Sequence, residues 1–103
     1  MAQFTVYRNA ENHALYPLLL DVQSPLLDTL DTRLVIPLTP LSRYSDPAMS
    51  TLTPVLDVEQ QAYLMLTPQM AGIPRKALGA TVADLSERRD DIIAAIDFLV
   101  TGI

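Results

Sequence analysis

No cysteine occurs in the chain, so disulfides and thiolate metal sites are excluded. The same absence fits a reducing compartment, and a soluble cytoplasmic protein is the expectation. Histidine occurs once, at His13. A lone imidazole without thiolates would leave carboxylates to complete any zinc site. His13 falls in the polar run NAENHA, where a solvated loop residue is the plainer reading. Basic residues are also scarce: seven against twelve acids, for a net charge of −5. They are scattered apart from two short pairs, Arg75–Lys76 and Arg88–Arg89. Direct nucleic-acid binding needs a basic patch, because phosphate contacts supply most of the affinity. DNA contact by this chain alone is therefore not expected. No apolar run approaches the roughly 20 residues of a spanning helix. Residues 1–12 lack the basic and apolar blocks of a signal peptide. GxSxG, P-loop and GxGxxG patterns are missing, which removes the usual warrants for hydrolase, NTPase and dinucleotide readings.

What is present is apolar and short-ranged. A length of 103 residues predicts one domain over 1–103, large enough to bury about two-thirds of its unfolded surface. Half of the residues are hydrophobic, which argues against disorder. Eight prolines against three glycines point to rigid, extended connections. QFTVY (3–7) alternates, with Phe4 and Val6 on one face and Thr5 and Tyr7 on the other. LYPLLLDVQ (15–23) reads as a mostly apolar strand, with Pro17 favouring an edge or a bulge. RLVIPL (33–38) is a β-branched strand closed by Pro37. Residues 39–54 carry Pro40, Pro47 and Pro54 and read as a long loop with room for a short helical turn. PVLDV and AYLMLT flank EQQ, a hairpin pattern without glycine. QMAGIPRKALGATV (69–82) is irregular or short strand.

The final segment changes period. Apolar residues at 92, 93, 96, 99 and 100 mark one face of a helix. Ser86 is the expected N-cap, and Glu87, Asp90 and Asp91 complement the positive end of the dipole. Strands followed by one amphipathic helix give an α+β class. Adjacent Asp90 and Asp91 point about 100° apart on a helix, so they do not face one another as a metal pair. Asp28 and Asp31 lie in a turn-rich stretch, where Asx-type hydrogen bonds are the default. Arg33 and Asp21 are candidates for acid–base chemistry without histidine, but no constellation rises above what any soluble protein carries.

FLVTGI, 98–103, closes the chain. Gly102 fits a left-handed C′ residue, with Ile103 folding back on Phe98 in a Schellman motif. The same cap would hold a small apolar tip rigid beside a carboxylate, and a preordered tip loses little entropy on binding a partner.

Several blocks in chain order carry a resemblance: QFTVY (3–7), DVQS (21–24), LLDT (26–29), RLVIPL (33–38), MLTPQMAGIP (65–74), VADLS (82–86) and GI (102–103). Together they resemble the CcdB family, the toxin half of Ccd toxin–antitoxin modules. The resemblance implies a twisted antiparallel, partly barrel-like (SH3-like) sheet with a C-terminal α-helix, assembled as a homodimer. It also implies a toxin without catalysis or cofactor. Such a toxin binds the DNA gyrase A subunit and traps the gyrase–DNA cleavage complex. A CcdA-like antitoxin neutralises it, and the toxin–antitoxin complex represses its own operon. DNA is met only through the antitoxin or gyrase, which agrees with the acidic charge.

Site residues carry over position by position. Gyrase contact in the family centres on a terminal Trp-Gly-Ile in its plasmid form. Gly102 and Ile103 match it, whereas Thr101 stands where that tryptophan does. Tryptophan stacks on an arginine for roughly 0.5–2 kcal/mol. Threonine offers only a hydroxyl, so weaker or differently organised gyrase binding is implied, with loss as the extreme. Leu26 and Leu27 stand for the family's paired isoleucines, and would serve equally as loop-to-core packing. Asp97 stands for a polar residue, usually Asn, one helical turn before the tryptophan. NAENHALYPLLL and the 39–54 loop match poorly and read as surface connections. Two alternatives remain: a MazF-like ribonuclease toxin, and a decayed toxin that binds only antitoxin.

Overall fold

Branched and aromatic side chains suit a pleated, half-buried surface, and the apolar runs of the first three-quarters become strands. A computed structural model describes residues 2–44 and 51–102. Within them lie β1 (Thr5–Asn9), β2 (Leu18–Asp21), β3 (Thr32–Pro40), β4 (Val55–Val58), β5 (Gln61–Met65), β6 (Ala71–Pro74), β7 (Leu78–Asp84) and α1 (Arg89–Thr101). The strands run in the order β4-β5-β3-β2-β1-β7, with β6 also paired to β3. Every pairing is antiparallel. The sheet curls into a half-barrel and α1 covers one face, the expected α+β architecture.

Alternation along the central strands decides which side chains meet the helix. Leu18, Leu20, Ile36 and Leu38 join Val6, Leu56, Val58 and Met65 in one core with Ile92 and Ala95 of α1. Full burial of each larger aliphatic side chain contributes about 1.5–3 kcal/mol. On β1 the expected two faces do not separate by solvent, because Phe4, Thr5, Val6 and Tyr7 are all buried. The strand lies between β2 and β7 and both its faces are covered. Phe4 enters it at φ 67°, a conformation that costs a bulky residue about 1–2 kcal/mol. Two backbone bonds hold it there: its N–H donates to Asp21 at 2.6 Å, and its carbonyl accepts from Leu85 at 2.8 Å.

The prolines fall where the ladder needs no donor. Pro17 precedes β2 instead of interrupting it. β3 continues past Pro37 to Pro40, so the strand is longer than the expected 33–38 and the loop correspondingly shorter. Residues 32–35 of β3 pair with β6 and residues 38–40 pair with β5. Pro37 sits in the gap between those partners, where a missing N–H costs nothing. A 3₁₀ turn at Leu41–Arg43 follows. Residues 45–50 of the expected loop lie outside the described residues.

Two further expectations are corrected. Residues 78–84, expected to be irregular or short strand up to 82, form the seven-residue β7. Register shifts against β1 break its simple alternation. Ser86 does not cap α1. It opens a 3₁₀ turn, Ser86–Arg88, and the helix proper starts at Arg89. No side chain caps the 3₁₀ turn or α1; ahead of them Asp84 Oδ1 accepts the Ser86 N–H at 2.8 Å in an Asx turn. Hydrogen bonds from the Ser86 side chain, then its backbone, hold the Asp84 carboxyl below the ordinary 3.8. Asp90 and Asp91 do lie in the first turn of α1.

Candidate functional site

The connection from β2 to β3 begins with a fastening that the sequence hid. Arg33 and Asp21 are fully buried, and Arg33 Nη2 and Nε donate to Asp21 Oδ2 at 2.7 and 3.0 Å. The other oxygen of Asp21 accepts the Gln23 N–H at 3.0 Å. Arg33 Nη1 reaches Asp28 Oδ1 at 2.8 Å. Each side-chain nitrogen of Arg33 and both carboxylate oxygens of Asp21 thus have a hydrogen-bond partner, as a buried ion pair requires. These groups are therefore structural, and the candidate acid–base role for Arg33 and Asp21 is withdrawn. Asp28, expected in an Asx turn, pairs with Arg33 through its Oδ1.

That network carries the turn Pro25–Leu27 outward. Ser24 Oγ accepts the Leu26 N–H at 3.2 Å, and Gln23 Nε2 donates to the Leu27 carbonyl at 2.8 Å. From the side, Arg75 Nε donates to the Leu30 carbonyl at 2.8 Å and its Nη2 bonds the Asp28 carbonyl. The result is a fixed loop with an apolar crest. Leu26 is 91% exposed, Leu27 50% and Leu30 46%. Loop-to-core packing therefore does not account for Leu26, and only half accounts for Leu27. Leu30 belongs to the same crest. Its signal in the sequence was a leucine in a turn with no apolar neighbour to pack on.

The helix end forms a second feature. The apolar stripe of α1 is buried at Ile92 and Ala95, but Leu99 is 38% and Val100 71% exposed. The expected face thus leaves the core in its last turn. Gly102 adopts φ 75° and donates its N–H to the Phe98 carbonyl at 2.9 Å. This is the left-handed cap expected of it. Ile103, expected to pack back on Phe98, lies outside the described residues. Thr101 Oγ1 donates to the Asp97 carbonyl at 2.6 Å, one turn back. Asp97 and Thr101 are thereby brought together, with the threonine hydroxyl turned into its own helix. Leu26 and Leu27 hang on different partners from this pair.

The opposite face of the sheet holds a shallow apolar cavity of about 250 Å³, lined among others by Leu19, Val35, Pro37, Ala71, Ile73 and Ala77. Asn9 at its edge is occupied by its own loop, accepting from Glu11 and Asn12 and donating to Asn12 and Tyr16. Among the described residues no group of three or more histidines and carboxylates gathers to hold a metal. No described helix is long and apolar enough to cross a membrane.

Exposed apolar side chains on rigid supports are the chemistry of a binding surface. A protein-family model described as CcdB protein matches residues 3–102. The chain therefore belongs to the CcdB family, the toxins of toxin–antitoxin systems that poison gyrase.

Proposed function

We propose that this chain poisons gyrase by binding its A subunit and trapping the cleaved DNA complex, without catalysis of its own. The observation that carries this reading is the family match over 3–102. Leu26, Leu27, Asp97, Thr101, Gly102 and Ile103 are the proposed contacts. The leucine crest supplies desolvatable area on a loop already ordered before binding, and the Gly102 cap fixes the helix end. One domain acting as a homodimer in the cytoplasm, neutralised by a CcdA-like antitoxin and co-repressing its operon with it, completes the proposal. The net charge of −5 supports DNA contact through those partners alone.

The test is gyrase-dependent double-strand DNA cleavage with ATP, using gyrase from the protein's own host. The full chain is compared with one lacking Gly102 and Ile103, after circular dichroism shows that both fold. Cleavage by the full chain and none by the truncation is expected. No cleavage by either sinks the reading. The Thr101 hydroxyl, turned back onto Asp97, favours one second reading: a chain that binds antitoxin and leaves gyrase untouched. That reading predicts antitoxin binding with no cleavage.

A further inference from the structure

Two arginines fasten the 24–31 loop, and they differ in kind. Arg33 is fully buried and paired with Asp21, so it holds the core as well as the loop. Arg75 is half-buried, stands just after β6, and spends its fork on two backbone carbonyls, those of Asp28 and Leu30. Its own N–H donates to the Asp31 carbonyl at 3.2 Å. That backbone bond survives any side-chain change. The side chain therefore serves the loop more than the fold.

From this geometry we propose that Arg75 is a positioning residue for partner binding, acting through the leucine crest. The inference rests on the gyrase reading above and deepens it. Carbonyl 28 lies immediately after the exposed Leu26 and Leu27, and carbonyl 30 belongs to the third exposed leucine. Freed of the Arg75 side chain, the loop keeps its attachments at Ser24, Gln23, Arg33 and the Asp31 carbonyl but loses the two bonds that hold carbonyls 28 and 30. The crest would then sample other positions, and ordering it on the partner would cost affinity. At the helix end the Thr101 hydroxyl is spent on the Asp97 carbonyl. The crest accordingly carries a larger share of the contact.

The experiment measures binding of the full chain to the host gyrase A subunit by calorimetry. The variants are Arg75→Ala, Arg75→Lys, Leu26→Ala, and Arg75→Ala with Leu26→Ala. Amide hydrogen exchange over 26–31 and the melting temperature are recorded for each. Arg75→Ala should weaken binding about tenfold, speed exchange in the loop and leave melting nearly unchanged. Arg75→Lys keeps the charge but not the fork, so it should restore only part of the affinity. With Leu26 already cut to Ala, removing Arg75 should cost little more. Full rescue by lysine would mean that charge alone matters and would overturn the proposal, as would strict additivity with Leu26→Ala. Unchanged exchange over 26–31 would overturn the positioning whatever gyrase does. If the unaltered chain fails to bind gyrase A, the functional reading falls, and this role with it, even where exchange shows the loop loosened.

Discussion

At the residue scale, the sharpest feature is a charge pair sealed in an apolar setting. Removing one member leaves the other buried and unpaired, which costs about 3–5 kcal/mol. Arg33→Met should lower the unfolding free energy measured by urea titration by that amount, and Asp21→Leu added to it should recover a large part. No recovery in the double variant would mean that Asp21 is not the group left stranded. Neither residue could be assigned from the sequence, because they stand on different strands and only the β2–β3 register brings them together. Thr67 presents the opposite case. Its Oγ1 is buried without a hydrogen-bond partner among the described residues. Thr67→Val removes that unmet hydroxyl at equal shape, and should raise stability by up to about 1 kcal/mol in the same urea experiment. A loss would show that the hydroxyl is satisfied in solution.

At the element scale, the β4–β5 hairpin carries its own strain. Val58 pairs with Gln61, leaving Glu59 and Gln60 as a two-residue loop with φ of 51° and 66°. Such loops favour Asn-Gly, because non-glycine residues pay about 1–2 kcal/mol for the left-handed region. Gln60→Gly should stabilise the fold by about 1 kcal/mol, read as a higher melting temperature; no gain would mean that the loop relaxes in solution. The hairpin itself was legible from PVLDV and AYLMLT, although the expected EQQ turn loses Gln61 to the strand. The helix was legible from its period, but its start was not. An Asx turn at Asp84 competes with a Ser86 cap, and nothing local in DLSER separates the two. The bonds at Asp84 are made to its carboxylate, so its folded pKa is depressed. Their stabilisation is therefore complete above 3.8 and lost as pH falls through the lower folded value. The melting temperatures of the native chain and Asp84→Ala should converge as pH drops well below 3.8. A gap that stays constant would rule out this role for the carboxylate.

At the scale of the whole molecule, the sequence carried the fold class through period and order of segments. It could not show where the apolar residues go. Leu26 and Leu99 look alike in a string of letters, as do Ile92 and Val100, yet only Ile92 is sealed under the sheet. On α1 the difference is how far the sheet reaches: the helix runs nearly two turns past Ala95, its last buried residue, and ends in open space at Gly102. An apolar helix end left outside the core calls for a partner, and the proposed homodimer and gyrase A subunit both compete for that role. Sedimentation velocity should give a species of twice 11.4 kDa for the full chain. A monomer at micromolar concentration would remove the dimer. Val100→Asp then decides what the helix end meets. Because Val100 adjoins Thr101 and Gly102, the charge should abolish gyrase-dependent cleavage while the dimer persists. Dissociation into monomers would instead place Leu99 and Val100 between subunits, and the gyrase contact would have to shift toward the leucine crest.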